Sequence, residues 1–397
     1  MSVQANILKL FILRALQFAY IPMPIIVIFF QDNGIALKEV FILKAIFSVV
    51  ALILEIPSGY FADVFGRKAA HIWGGVFFLG AYLIYCLAGS FWWFAGAEVS
   101  LGIGISLLSG SGEALAYDSL LALGQEHRYR GLEGRMITIS SFSEAIGGIL
   151  GGFLAVSSLR TPFYLEALIL ACFVGVSLTL VEPPRAKLKQ GVSRLVQLKQ
   201  ALAYALFTNK ELKWLLIYSA VSGCATYMIA WLAQPYMESV AFPLAFFGLA
   251  WAFFHLVMGC VSWYADRIVS LIGERRTLAL LPVLIGLGYF CLSACQNIWG
   301  VAFILILYLV RGIRLPLTRE YINRLTTSES RATVLSLVSF LLRIIFAILS
   351  PIVGWMADLY TLSFAFKICA GVFLLLGVSS FLALRRYVPG SSGGHNN

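Results

Sequence analysis

The sequence predicts an all-α, polytopic membrane protein whose twelve transmembrane helices form two six-helix, pseudo-symmetric bundles. Three observations carry that prediction. Of 397 residues, 60% are apolar and 12% charged, and the mean hydropathy is +0.89. A soluble chain of this length needs a polar skin that this composition cannot supply. The apolar residues gather into runs of about 20, the length that crosses a bilayer. One long polar stretch separates those runs into two sets of six.

Runs bounded by charge or turn residues place the first six spans near 9–30, 38–60, 70–89, 92–120, 136–157 and 162–181. The second six fall near 213–238, 244–265, 277–295, 299–320, 332–356 and 362–384. The domain plan is therefore a first bundle over 1–181, a linker over 182–212, a second bundle over 213–386 and a disordered tail over 387–397. The N-terminal apolar stretch is long and lacks a small-residue cleavage site, so it reads as the first span. The linker opens on Pro183-Pro184 and carries six cations among leucines and valines at roughly helical spacing. That pattern predicts a basic amphipathic helix on the membrane surface. Thirty-five glycines suit close helix packing in lipid.

Cations set the orientation. With the N-terminus inside, twenty-one Lys and Arg fall on inner segments, and the outer loops keep only Lys38 and Arg160. This positive-inside bias predicts both termini in the cytoplasm and a location in the cytoplasmic (inner) membrane. The net charge of +10 is then a matter of topology, because basic residues scattered over short loops make no nucleic-acid surface. The seven cysteines all lie in apolar runs. They read as buried thiols, with no metal site and no cofactor implied.

The loop after the second span reads Gly59-Tyr60-Phe61-Ala62-Asp63-Val64-Phe65-Gly66-Arg67-Lys68. Gly59 permits close approach of a neighbouring helix, Gly66 a tight turn, and Asp63 can cap a helix or hold Arg67. This G-x-x-x-D-x-x-G-R-K spacing resembles the loop signature of the major facilitator superfamily. A degenerate echo, Ser262-Trp263-Tyr264-Ala265-Asp266 and then Gly273-Glu274-Arg275-Arg276, occupies the equivalent loop of the second half. Gly354-Trp355-Met356-Ala357-Asp358 repeats its beginning. Paired repeats of this kind are expected of such transporters, and the resemblance extends from about residue 8 to 386.

Two other motifs of the family are altered. Glu98 stands before Gly102 and Gly104, where the family often has arginine. Gly147-Gly148-Ile149-Leu150-Gly151-Gly152 resembles the antiporter motif Gly-Pro-x-x-Gly-Gly with glycine in place of proline. A glycine face of this sort can also pack a helix without fixing a direction of transport.

Ionisable groups within spans are costly and need a partner, a water-filled cavity or a function. The second half embeds Arg311, Arg314, Arg343 and His255, and no carboxylate at that depth. The first half embeds Glu55, Glu98, Glu113, Glu144 and Glu166, with Arg14, Lys44 and Asp118. Either cross-half ion pairs hold one access state shut, or the second half offers an anion site while a first-half carboxylate takes up protons. The resemblance makes the tenth span cavity-lining, which favours Arg311 for substrate contact, with Arg314 on the same face; Arg343 of the eleventh span is a further candidate, with a structural pairing as its alternative. Gln17 and Tyr20 of span one, and Tyr227, Trp231 and Gln234 of span seven, complete the expected binding surface.

Proton coupling falls to Glu113, Glu144 and His255, with a fixed Glu113–Arg14 salt bridge as the alternative for Glu113. Glu55, Gly59, Asp63, Gly66, Arg67 and Asp118 form the expected cytoplasmic gate, Asp118 as a partner for Arg67. No nucleotide loop, catalytic triad or metal cluster is present in the sequence, so no enzyme is implied. The expected function is that of a monomeric secondary active transporter, working by alternating access, that exports a small amphipathic, anionic organic molecule in exchange for protons. An importer of an organic acid or metal-chelate nutrient, or a non-transporting receptor or scaffold on the same fold, are the alternatives.

Overall fold

The computed structural model describes residues 3–183, 209–326 and 331–387, and all regular structure among them is helical. The chain divides into two compact units. One comprises Met1–Gly191 with Pro243–Ala252, the other Val192–Phe242 with Phe253–Asn397. The division falls inside the expected linker. The amphipathic pattern at 184–208 and the tail at 388–397 lie outside the described residues. One short piece departs from a division at the linker alone, because the start of the eighth span belongs with the first unit.

The first unit contains α1 (Ala5–Gln17), α2 (Ile26–Asp32), α3 (Leu37–Phe65), α4 (Arg67–Leu87), α5 (Phe91–Leu108), α6 (Ser111–Ala122), α7 (Tyr129–Ser157) and α8 (Thr161–Leu178). Helix α4 is the hub, packed on α5 and α8, while α5 also packs on α3. Glycines set the α4–α5 distance. A Cβ on Gly104 would overlap Phe78 and come within 3.0 Å of the Gly74 carbonyl. Small residues let helix backbones approach in this way, where lipid gives no hydrophobic drive for association.

The first span is not the continuous helix expected over 9–30. α1 stops at Gln17 and α2 starts at Ile26. Between them Pro22 and Pro24 remove two backbone donors. Tyr20 takes a left-handed φ of 46°, a strained conformation for a bulky residue that costs roughly 1–3 kcal/mol. The break is buried against α7. A Cβ on Gly147 would overlap the Ala19 carbonyl oxygen, and one on Gly151 would overlap that of Ile21. The adjacent face of α7 receives the piece contributed from beyond the linker, Gly152 lying opposite Gly248 and Gly148 opposite Trp251.

Two other expected spans are interrupted. α3 bends by 51° between Leu37–Glu55 and Pro57–Phe65. The helix of the fourth span is interrupted at Ser109-Gly110, where Gly110 has φ 70°, and resumes as α6. Among the described residues ten helices or helix pairs are long and apolar enough to cross a bilayer, and eleven when bent α3 is counted. The broken first span, α1 and α2, is not among them.

The second unit contains α9 (Lys210–Ser239), α10 (Phe247–Trp263) beyond its first residues, α11 (Ala265–Ile272), α12 (Glu274–Ala294), α13 (Ile304–Arg324), α14 (Arg331–Leu359) and α15 (Leu362–Leu384). Helix α9 is its centre, packed against α13, α14 and α15. Asn209 caps α9 by accepting from the Leu212 N–H at 3.0 Å. The four residues added to the second loop motif form part of α11, a short helix of its own. Gly273, with φ 90°, then starts α12 as Gly66, with φ 114°, starts α4. At both positions the positive φ requires glycine.

Candidate functional site

The strongest site in the second unit forms around Arg314 on α13. Its side chain is 4% exposed. Nη1 donates to the Ser219 carbonyl at 3.2 Å, and Nε has no hydrogen-bond partner. Gly223 of α9 makes room for the guanidinium, since a Cβ there would lie 3.2 Å from Nη1. Among the described residues no carboxylate pairs with it, whereas Arg324 further along α13 pairs with Glu274 and Glu320. A buried cation met by a single neutral carbonyl is a site under-supplied with negative charge.

Arg314 borders a cavity of about 360 Å³ between α13 and α14. Arg319, Thr318, Ser336 and Ser339 supply its remaining polar wall. Leu315, Ile322, Leu335, Val338 and Leu342 supply the apolar one. The volume lies within the range of small-molecule sites, and apolar walls with a few convergent polar groups are what such sites present. The chemistry on offer is capture of an anionic group by guanidinium, with an apolar body held beside it.

The sequence-predicted residues separate around this cavity. Arg311, one turn before Arg314, is half-buried and repels its charge, as does Arg319. It does not line the cavity. Nor does Arg343, where neighbouring Leu342 takes the wall position. His255 sets its ring edge-on to Tyr308 at 5.3 Å. On α9, Gln234 and Trp231 are buried, and Tyr227 meets the rings of Trp231 at 6.1 Å and Phe346 at 4.8 Å. Gln17 ends α1 and Tyr20 stands in the break of the first unit.

Three cations of the first unit meet carboxylates. Arg14 Nη1 meets Glu113 at 3.2 Å, and Arg14 Nε donates to Ser140 at 2.9 Å. Lys44 pairs with Glu98, which also accepts from the Tyr85 hydroxyl at 2.9 Å. Glu98 thus fills the place of the family's arginine and is neutralised from α3. Arg67 pairs with Asp118 and donates to the Ala114 carbonyl. Gly66 turns the chain between α3 and α4, while Asp63 is half-buried and Glu55 exposed. Gly59 lies within α3. Glu144 is half-buried on α7, one turn before the glycines.

Glu182 was not anticipated. Its two carboxylate oxygens accept from the N–H groups of Arg67 (3.0 Å) and Lys68 (2.8 Å), capping the start of α4. In sequence it reads only as the first linker residue. Arg319 similarly counts as one more inner-side cation, and Ser336 and Ser339 carry no signal of their own. The i, i+4 and i, i+5 placement of Thr318 and Arg319 after Arg314 was the available clue.

Two units of long apolar helices, paired charges in one and an intact G-x-x-x-D-x-x-G-R-K loop narrow the family to one. Residues 10–315 match the Major Facilitator Superfamily. The chain belongs to that superfamily. A relative from Bacillus subtilis (strain 168), described as an uncharacterized MFS-type transporter, YxaM, is 23% identical over 375 residues, 89% of each chain. A variant of the nucleoside transporter NupG superposes with a TM-score of 0.79 at 15% identity, over 95% of this chain and 99% of that one. A D-xylose–proton symporter gives 0.74 at 16% identity over 98% of both. At such identities the likeness to solved structures concerns the fold. The Major Facilitator protein is thus a multi-pass secondary transporter of a small molecule and not an enzyme.

Proposed function

We propose that this transporter exports a small amphipathic organic anion in exchange for protons across the cytoplasmic membrane, with both termini cytoplasmic. The observation that carries the reading is the buried, carboxylate-free Arg314 on a half-apolar cavity. Arg314 and Arg319 hold the anionic group, and the leucine and valine wall holds the apolar body. Arg311 tunes the site through its charge. Glu113 exchanges Arg14 for a proton during the cycle, so protonation removes a charge before the units move. Arg67 and Asp118 latch the cytoplasmic side.

Counterflow in proteoliposomes with a panel of amphipathic carboxylates tests this. Arg314→Gln is expected to lower flux about tenfold or more, the loss of one charge-assisted contact, while the protein remains folded. Undiminished flux removes Arg314 from the site. No counterflow of any carboxylate, with or without a proton gradient, removes anion export. Glu113→Gln is expected to preserve exchange but remove its dependence on the proton gradient; an unchanged dependence rejects the coupling role.

A further inference from the structure

Glu166, near the start of α8, has no part in the reading above. It is 1% exposed. Its Oε2 accepts from the Ile21 N–H at 2.9 Å, and among the described residues no cation pairs with it. The bond spans 145 residues and lands on the broken first span, at a donor that an unbroken helix would have used itself. Unwound backbone at membrane depth persists only where protein or water satisfies it. Here a carboxyl side chain does so.

The surrounding charges are committed elsewhere. From α1, Arg14 serves Glu113 and Ser140. Arg160, which precedes α8, donates to Asn33 at 2.7 Å and to the Cys86 carbonyl at 3.0 Å. From α4, Tyr82 is neutral at ordinary pH and lies within electrostatic reach of the carboxyl, with Tyr20 of the break and Glu98 of α5 also near it; Glu98 is itself held by Lys44 and by the Tyr85 hydroxyl. Cys86 and His71 also stand on α4, His71 stacking on Phe173 two turns along α8. From α7, Glu144 is the titratable group nearest in sequence to the docked glycines, and it adds no positive charge. An ionised Glu166 would therefore be a buried anion held by one neutral amide, a costly arrangement unless a proton or cation joins it.

We propose that Glu166 is a proton-binding site that controls docking of the broken first span on α7. Protonated, the carboxyl stays buried, its carbonyl oxygen accepts from Ile21, and the Ala19 and Ile21 carbonyls rest against Gly147 and Gly151. Ionised, it withdraws toward water and releases the segment between α1 and α2. The sign is fixed: acid docks the break, alkali frees it. This rests on the proton-coupled reading only for its use in transport.

The test is hydrogen exchange of the full-length protein in lipid nanodiscs, read on the peptide covering 18–25 and normalised to the intrinsic rate at each pH. In the wild type, normalised exchange should rise by up to about tenfold per pH unit above the ordinary carboxylate range, where the released carboxyl loses the proton that the docked one keeps, and level off once the docked carboxyl itself ionises. Glu166→Gln keeps an acceptor oxygen and has no charge, so it should stay protected throughout. A flat wild-type profile, or a step surviving in Glu166→Gln, overturns the site. So does a step produced by sodium at fixed pH, which would make the ligand a metal cation. If the variant fails to fold, infrared spectra of the wild type decide. A protonated-carboxyl band that disappears over the same pH interval as the exchange step supports the proposal, and its absence overturns it. Exchange is read without substrate or gradient. A Glu166-dependent step in a protein that moves no solute leaves this site standing and removes the transport reading. Proton-driven flux with a pH-insensitive break removes this site alone.

Discussion

The two units handle their embedded cations in opposite ways. In the first, Lys44, Arg14 and Arg67 each meet a carboxylate. In the second, Arg311, Arg314 and Arg343 form no ion pair among the described residues, whereas Arg324 at the exposed end of α13 pairs with Glu274 and Glu320. A paired charge is structural until something separates it. An unpaired one has kept its capacity to bind. The proposed function rests on this contrast, with latching assigned to the first unit and ligand capture to the second.

The comparison is broken most directly at Lys44. Lys44→Met leaves Glu98 buried at the α3–α5 contact with only the Tyr85 hydroxyl, and should cost roughly 3–5 kcal/mol. The double change Lys44→Met with Glu98→Gln should recover most of that. Thermal unfolding of the four proteins checks both statements, and a double variant no better than the single would show that the pair is not the cause. Next in size is Gly147→Ala. The new Cβ meets the Ala19 carbonyl, which is backbone and cannot swing aside, so the α1–α2 break must shift at a cost of about 1–3 kcal/mol. Gly175→Ala, whose Cβ would meet nothing within 4 Å, is the control and should be neutral.

The second unit should answer differently. Arg314→Met removes a buried cation that has one carbonyl for company, so the desolvation it relieves offsets the lost bond. Stability should change by no more than about 1 kcal/mol, even though anion flux falls. A large destabilisation would mean that Arg314 is a structural residue and that the contrast between the units is false.

The spans were legible because lipid demands long apolar runs, and hydropathy reads those directly. The breaks were less so. Pro22 and Pro24 were visible, but whether two prolines kink a helix or open it depends on what accepts the freed carbonyls, here the glycine face of α7 some 125 residues away. The loop motif gave Arg67, and the end of the fourth span gave Asp118 as its partner. Arg314 could be seen as embedded. Its primacy over Arg311 could not, because one helical turn decides which guanidinium meets the cavity. Glu166 and Glu182 left no pairwise trace at all, since each bonds to backbone N–H groups and no side-chain pattern encodes that.

The smallest expected effect sharpens the comparison most finely. Both halves place glycine with positive φ before a helix and pair the next residue with the end of a distant one, but with the charges reversed. Arg67 meets Asp118 in the first unit, whereas Glu274 meets Arg324 at 2.6 Å in the second. The first pair is the better buried, with side chains 22% and 17% exposed against 25% for Glu274 and 49% for Arg324. Arg67 also serves the Ala114 carbonyl, and Glu182 holds the turn. Screening by water should limit the Glu274–Arg324 pair to below about 1 kcal/mol. A double-mutant cycle with Glu274→Gln and Arg324→Gln should therefore give a coupling energy smaller than the cycle with Arg67→Gln and Asp118→Asn, and one that fades with added salt. Exchanging the second pair, Glu274→Arg with Arg324→Glu, should fold as well as the wild type if geometry alone matters there. If it does not, the negative end of Glu274 at the start of α12 is contributing through the helix dipole, an advantage that Arg67 at the start of α4 lacks and that Glu182 supplies from outside.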